Sequence, residues 1–342
     1  MAELLEELLQ MPEAINQLID YYQKKEGAYQ LTLPAPTHPV LIGMGASYHA
    51  AWVGAYMLHQ AGIPCTYMEG SDVLLYNAAT LSRHSSILYI SQSGSSGEIQ
   101  PILTQLQGRA EVIGITNRAD SPLAQHADHL LPIMAGDEQW IASKTYTNTL
   151  ALLWLAARRW SAPGPGQGGG FEELRALADR MAEIQQHSAA AVERLSEVFQ
   201  SSERVIFLGH GPHAATARQA AMTLSEWPKL TSLNFGLGAF RHGFIEIADS
   251  RSTVIIFAPP GSTHASAWEL GKELDAYGVR VLFIENGRLR AFDAPPAPQP
   301  LEHEFLSPIL DILPIQLFAE ANARRKFSRP GFRYISKVVS KL

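Results

Sequence analysis

Between Ile87 and Leu106 the chain reads ILYISQSGSSGEIQPILTQL: an apolar run, a stretch of serines and glycines, then a segment with helical spacing. Ser91, Gln92, Ser93, Ser95 and Ser96 therefore stand where a buried strand gives way to the N-terminus of a helix. Unpaired backbone N–H groups and the positive end of the helix dipole favour an anion at such a place, and flanking hydroxyls add donors. The chemistry that fits is capture of a phosphate. Serines also serve simply as turn and N-cap residues, but five hydroxyl or amide side chains within six residues exceed what a cap needs. An earlier turn, GMGASY, places Ser47 after another apolar run, where its hydroxyl could stand beside the loop.

Proton-transfer groups are harder to sort, because 12 histidines and 33 carboxylates make chance pairings common. Glu226 lies in the apolar run AMTLSEWPKL, where an acid is costly unless used or paired. His242 follows sixteen residues later in the glycine-rich NFGLGAFRHGF, which leaves backbone room beside a ligand. Each alone reads more readily as structural: a half-buried helix-end carboxylate and a histidine satisfied in a loop. GHGPHA, from Gly209, fits the dinucleotide pattern G-x-G-x-x-A, but no acidic residue follows at the required spacing, so it reads as a packing turn.

The elements that must position these residues alternate. Apolar runs PVLIGM, SILYI, EVIGITN and HLLPIM are interleaved with helical patterns from Ser47 to Ala61, up to Leu106, and from Tyr146 to Trp160. After a helical stretch from Phe171 to Phe199, RVIFLG, STVIIFA and RVLFIE resume the alternation, with helices ending near Glu226 and Tyr277. This order predicts an α/β fold, with parallel sheets covered by helices on both faces. Val40–Leu58 and Val205–Leu224 share strand, G-x-G turn and helix, which points to an internal duplication. SAPGPGQGGG, Ser161 to Gly170, is the one compositional break and reads as a linker between domains 1–160 and 171–342. FAPPGSTHAS, at the second-half position of the serine loop, lacks the SQSG pattern, so one phosphate site per chain is expected.

With 342 residues, 46% of them hydrophobic, each half can bury a full core. A net charge of −6 without a basic stripe argues against nucleic acid as a partner. The acidic start MAELLEELLQ lacks signal-peptide features and no apolar run is long enough for a bilayer, so no membrane partner and a cytoplasmic location are expected. One cysteine, Cys65, excludes a disulfide within the chain and a cysteine zinc site; no metal and no cofactor are anticipated.

Taken in order, MPEAI, GMGASYHAA, SQSGSSGE, GDEQWIASKTYTNTL, SEWPKL, FRHGF and RYISKVV resemble the double sugar isomerase (SIS) domain family across essentially the whole chain. That family includes the isomerase portion of glucosamine-6-phosphate synthase, fructosamine-6-phosphate deglycases and amino-sugar-phosphate deaminases. The resemblance implies two tandem SIS domains of flavodoxin-like architecture. It assigns phosphate binding to Ser47, Ser91, Gln92, Ser93 and Ser96, and sugar lining to Ala142, Ser143 and Lys144 in a segment one residue shorter than the family's. It places catalysis on Glu226 and His242 and on Lys337 of a C-terminal tail that reaches the site. It also implies a homodimer in which His242 acts across the interface.

The sequence departs from the synthase in ways that bear on chemistry. No glutaminase segment precedes these motifs, so glutamine-dependent amination is not expected. Thr223 stands where the synthase has a second lysine, and Ala239 and Phe244 replace its usual Glu and Pro around RHG. The implied enzyme acts on a 6-phosphorylated amino sugar or fructosamine, as deaminase, deglycase or aldose–ketose isomerase, through proton transfer between C1 and C2. The alternative is a sugar-phosphate-binding regulator without catalysis, which would need neither Glu226, His242 nor Lys337. Such regulators usually carry a helix-turn-helix, and none is visible in the sequence.

Overall fold

The computed structural model describes residues 3–77, 81, 86–161, 170–294 and 303–339. The chain forms two compact units, neither of them a continuous half. One joins Gln10–Ala178 to the tail from Arg333; the other joins the residues up to Leu9 to Asp179–Phe332. The stretch 162–169, within the expected linker, lies outside the described residues.

The first unit holds a five-stranded parallel sheet in the order β2-β1-β3-β4-β5. Its strands are β1 Val40–Gly43, β2 Thr66–Glu69, β3 Ser86–Ile90, β4 Glu111–Thr116 and β5 His129–Pro132. Every residue of β1 and β3 is buried, as befits central strands covered on both faces. Ile42, Ile87 and Tyr89 pack with Ile99, Ile102 and Leu106 of the helix Ile99–Leu106. That helix shows its apolar positions three and four apart, and so buries one stripe against the sheet.

The second unit repeats the plan with β6 Arg204–Gly209, β7 Leu233–Gly236, β8 Ser252–Phe257, β9 Arg280–Glu285 and β10 Arg288–Ala291, in the order β10-β9-β8-β6-β7. This sheet is mixed, because β10 returns antiparallel to β9 through Asn286 and Gly287, both at positive φ as a two-residue hairpin turn requires. The duplication extends to torsion angles: Gly45 and Gly211, in the equivalent turns, have φ/ψ of 51°/−123° and 51°/−119°.

The helices outside the two sheets follow from local sequence. The helical stretch after Phe171 is two helices, Phe171–Gln186 and Ala189–Ser201, broken at His187 and Ser188. Pro308 and Pro314 each fall in the first turn of a helix, Ser307–Asp311 and Leu313–Lys326, where the missing N–H costs nothing. Near the start, Leu4–Leu9 and Met11–Gln23 are helical, and the second buries Ile15, Leu18 and Ile19. No helix among the described residues is long and apolar enough to cross a membrane.

Candidate functional site

In the first unit the chain passes from β1 outward to β2 and then returns to the other side of β1 as β3. Loops leaving β1 and β3 therefore diverge at their carboxyl ends and open a crevice, the usual ligand position in such sheets. The helix Ala46–Gln60, with Ser47 in its first turn, follows β1, and the loop carrying Ser91, Gln92, Ser93 and Ser96 follows β3. The topology brings the two hydroxyl-bearing segments to one place.

The loop is fixed by its own backbone. Ser91 is buried and its Oγ accepts from Gly94 N at 3.1 Å; Ser93 Oγ accepts from Ser95 N at 3.2 Å. The Gln92 carbonyl accepts from Asn117 N and Thr116 Oγ1 at the end of β4. Gly94 sits at φ +61°, with Ser121 and Thr116 packed where a side chain would be. Gln92, Ser93, Ser96 and Ser47 remain half-buried. Glu98, behind the loop, is buried, and burial raises its carboxyl above the ordinary range.

A second loop, 133–143, leaves β5 and enters the helix Lys144–Trp160. Asn117 pins it by accepting from Ala135 N at 2.9 Å and donating to Gly136 O at 2.7 Å. Of the expected sugar-lining residues, Ala142 is half-buried. Ser143 is fully buried and donates to Glu138, while Lys144 is buried and donates to Gln10 Oε1 and Asp137 O, both at 2.7 Å. The Ser143 and Lys144 side chains thus hold the loop and the helix start.

Glu138, which the sequence reading did not single out, organises this loop. Its carboxylate is buried and accepts from Ser143 N (2.9 Å), Ser143 Oγ (3.0 Å), Thr145 N (3.0 Å) and Thr145 Oγ1 (2.7 Å). It is also 2.6 Å from Lys337 Nζ of the tail. Burial alone would raise its pKa; the Lys337 ammonium and the Thr145 donors outweigh that and hold it below the ordinary carboxylate range. A carboxylate shortly before a helix start was the available signal, since a helix N-terminus favours an acid. Its pairing with a residue 199 positions away was not readable.

Lys337 also donates to the Trp140 carbonyl, and the tail continues to Val339, whose carbonyl accepts from Gly97 N of the serine loop at 3.2 Å. The tail thus touches the serine loop and the loop after β5 within one unit.

Glu226 and His242 belong to the second unit. Glu226 ends the helix Pro212–Glu226 and is half-buried; its carbonyl accepts from Lys229 Nζ. His242 is exposed, just after the short helix Leu237–Arg241. The long helix leaves the carboxyl end of β6 and runs back, and β7 pairs parallel to β6. Glu226 therefore lies on the amino-end side of β7 and His242 beyond its carboxyl end, with about 10 Å of strand between. The topology does not bring these two together within one chain.

Buried polar groups elsewhere are structural. His213 Nε2 lies 2.9 Å from Asp311 Oδ2 and 3.1 Å from Ser307 Oγ, so one ring nitrogen faces both partners and no relay through the ring is possible. Cys65 is half-buried, and burial pushes its thiol up to about 11, too high for a reactive thiolate. Among the described residues no cluster of three or more His, Cys, Asp or Glu could hold a metal ion.

Comparison with known proteins places this geometry among relatives. The SIS domain family model matches residues 35–159 and 198–290. A glutamine–fructose-6-phosphate aminotransferase of Gloeobacter violaceus is 29% identical over 301 residues, 84% of this chain and 49% of that protein. The chain spans about half the length of such curated relatives. Among solved structures, the C-terminal domain of glucosamine-fructose-6-phosphate aminotransferase from Francisella tularensis superposes with TM-score 0.84 at 21% identity, covering 94% of this chain and 96% of that one. Glucosamine-6-phosphate deaminase from Thermotoga maritima gives 0.78 at 20%, covering 99% of each chain. These structural likenesses establish the fold.

Proposed function

This chain belongs to the SIS domain family, and from that premise we propose that it is an enzyme acting on a 6-phosphorylated amino sugar or fructosamine. The observation that carries this reading is the tail that hydrogen-bonds the serine loop at Gly97 and sets Lys337 on the neighbouring loop. A module that only bound a phosphate would need the serine loop and not the lysine.

The phosphate sits among Ser47, Ser91, Gln92, Ser93 and Ser96, anchoring one end of the open-chain sugar. With that end held, the reacting carbons meet the catalytic groups without further orientational cost. Glu226 takes the proton from C2 of a 2-amino aldose and returns it to C1, so the electron pair of the C2–H bond passes through an enolamine to leave an imine at C2. Water adds to that imine, and ammonia departs with a proton from His242; for a fructosamine the proton is taken from C1 and returned to C2, the imine forms at C1, and its hydrolysis releases the amine. Lys337 offsets negative charge developing on the sugar oxygen. Loss of the synthase's second lysine, replaced by Thr223, favours this amine-releasing direction.

In keeping with the family resemblance, the histidine of each site would come from a second copy in a homodimer, and the strand β7 that stands between Glu226 and His242 is compatible with that arrangement. The relatives are named as aminotransferases and a deaminase of sugar phosphates, in keeping with this class of substrate. Incubation with glucosamine 6-phosphate, fructosamine 6-phosphates and simple hexose 6-phosphates, with assays for ammonia, free amine and ketose, tests the reading. Release of ammonia or amine supports it; turnover confined to amine-free sugars, or none with any of them, overturns it.

A further inference from the structure

We propose that Glu138 is the positioning residue of the tail, docking Lys337 at the rim of the crevice. This rests on the reading above for what the lysine then does, but the docking stands on its own geometry.

Tyr334 of the tail is 95% exposed, and Ile335 and Val339 keep 46% and 48% of their surface in solvent. The tail's polar contacts with the two loops include Lys337 Nζ to Glu138 Oε1 and the Trp140 carbonyl, and the Val339 carbonyl on Gly97 N. Of these, the first involves a buried charge, and breaking it forfeits more than a neutral bond does. The lysine is thus the strongest of these ties.

The carboxylate is built to receive a guest. Oε2 accepts from Ser143 N, Ser143 Oγ and Thr145 N, and Oε1 from Thr145 Oγ1, at the N-terminus of a 17-residue helix. These donors stay on the carboxyl when the lysine leaves, so the hydrogen bonds that hold the loop to the helix start do not depend on Lys337. Loop and helix stay ordered while the tail docks and undocks.

Hydrogen exchange on the full chain without substrate tests the docking, comparing wild type with Lys337→Met, Glu138→Gln and the double variant. Lys337→Met is expected to speed exchange of the Gly97 amide, which donates to the Val339 carbonyl of the tail, about tenfold or more while amides 143–149 keep their protection. Glu138→Gln should match it at Gly97, and the double variant should add nothing. If Glu138→Gln also loosens 143–149, Lys337→Met decides alone. Unchanged Gly97 protection in Lys337→Met, or additive effects in the double variant, overturns the proposal. No turnover enters this readout, so failure of the substrate assays leaves it intact, and the reverse.

Discussion

The serine loop can be perturbed without touching a serine. At Gly94, φ +61°, an added Cβ would lie 2.1 Å from Ser121 Oγ, 2.5 Å from Ser121 Cβ and 3.0 Å from Thr116 Oγ1. Neither neighbour can step aside: Ser121 Oγ caps the helix Pro122–His126 by accepting from Ala124 N, and Thr116 Oγ1 donates to the Gln92 carbonyl. In Gly94→Ala the loop must move by about 1 Å to bring those contacts beyond 3.0 Å. Gly108 is the matched control, at φ +69° with nothing within 4 Å of its Cβ position.

Both substitutions carry the left-handed penalty of about 1–2 kcal/mol, and only Gly94→Ala adds displacement of the loop. If two serine donors lose a bound phosphate, at about 1.5–3 kcal/mol for each hydrogen bond to a charged group, binding weakens by about 10²- to 10⁴-fold. Calorimetric titration with a hexose 6-phosphate, with thermal unfolding of each variant in parallel, reads both effects. Gly108→Ala should unfold somewhat earlier and bind as wild type; Gly94→Ala should lose the ligand. A folded Gly94→Ala protein that binds with wild-type affinity would refute phosphate capture by this loop.

Three further outcomes follow from the same geometry. Glu226→Gln should lower turnover by about 10²- to 10⁴-fold yet leave sugar-phosphate affinity unchanged in the same titration; normal turnover would remove Glu226 from the mechanism. The Glu138 carboxyl is held below its ordinary range, so its pairing with Lys337 stabilises the protein above the unfolded-state value of about 4.3 and is lost as pH falls through the lower folded value. The thermal stability gap between wild type and Lys337→Met should accordingly be present at neutral pH and close as the pH falls through the lowered folded-state value; a gap that widens on acidification contradicts the pairing. In the second unit, Arg290 holds the buried Glu285 through two bonds, 2.7 and 2.8 Å, beneath Trp268 and Phe283. Arg290→Met should cost about 3–5 kcal/mol in chemical denaturation, and a loss below 1 kcal/mol would show that His264, 3.2 Å from the same carboxylate, suffices alone.

The central strands were legible because burial on both faces writes itself as an unbroken apolar run, as in Val40–Gly43 and Ser86–Ile90. Two of the edge strands, β2 and β7, were not. β2 is Thr-Tyr-Met-Glu and β7 is Leu-Asn-Phe-Gly, each four residues long, partly exposed and paired on one side only, so neither leaves a continuous apolar signal. The serine loop announced itself because all its donors are consecutive in sequence. Glu138 did not, because its meaning depends on Lys337, which only the folded chain brings near. The inward turn of Lys144 was likewise hidden, since Gln10 and Asp137 are not marked as its partners by any spacing.

Duplication sharpens what the serine loop is for. Both sheets have the same strand order about the switch point and the same turn after the first strand, so both are built to open a crevice between diverging loops. In the second unit the loop after β8 has its donors already taken: Ser262 N and Oγ each donate at 2.7 Å to the Glu304 carboxylate. Gly261 leaves the space that carboxylate fills, since a Cβ there would fall 1.7 Å from Glu304 Oε2. One half therefore answers its loop donors with an anion of its own, while the other keeps Ser93, Ser96 and Ser47 half-buried and ties a lysine-bearing tail beside them. The same backbone plan, given an internal carboxylate, closes on itself; given serines and a tethered cation, it is left to take a phosphate from outside.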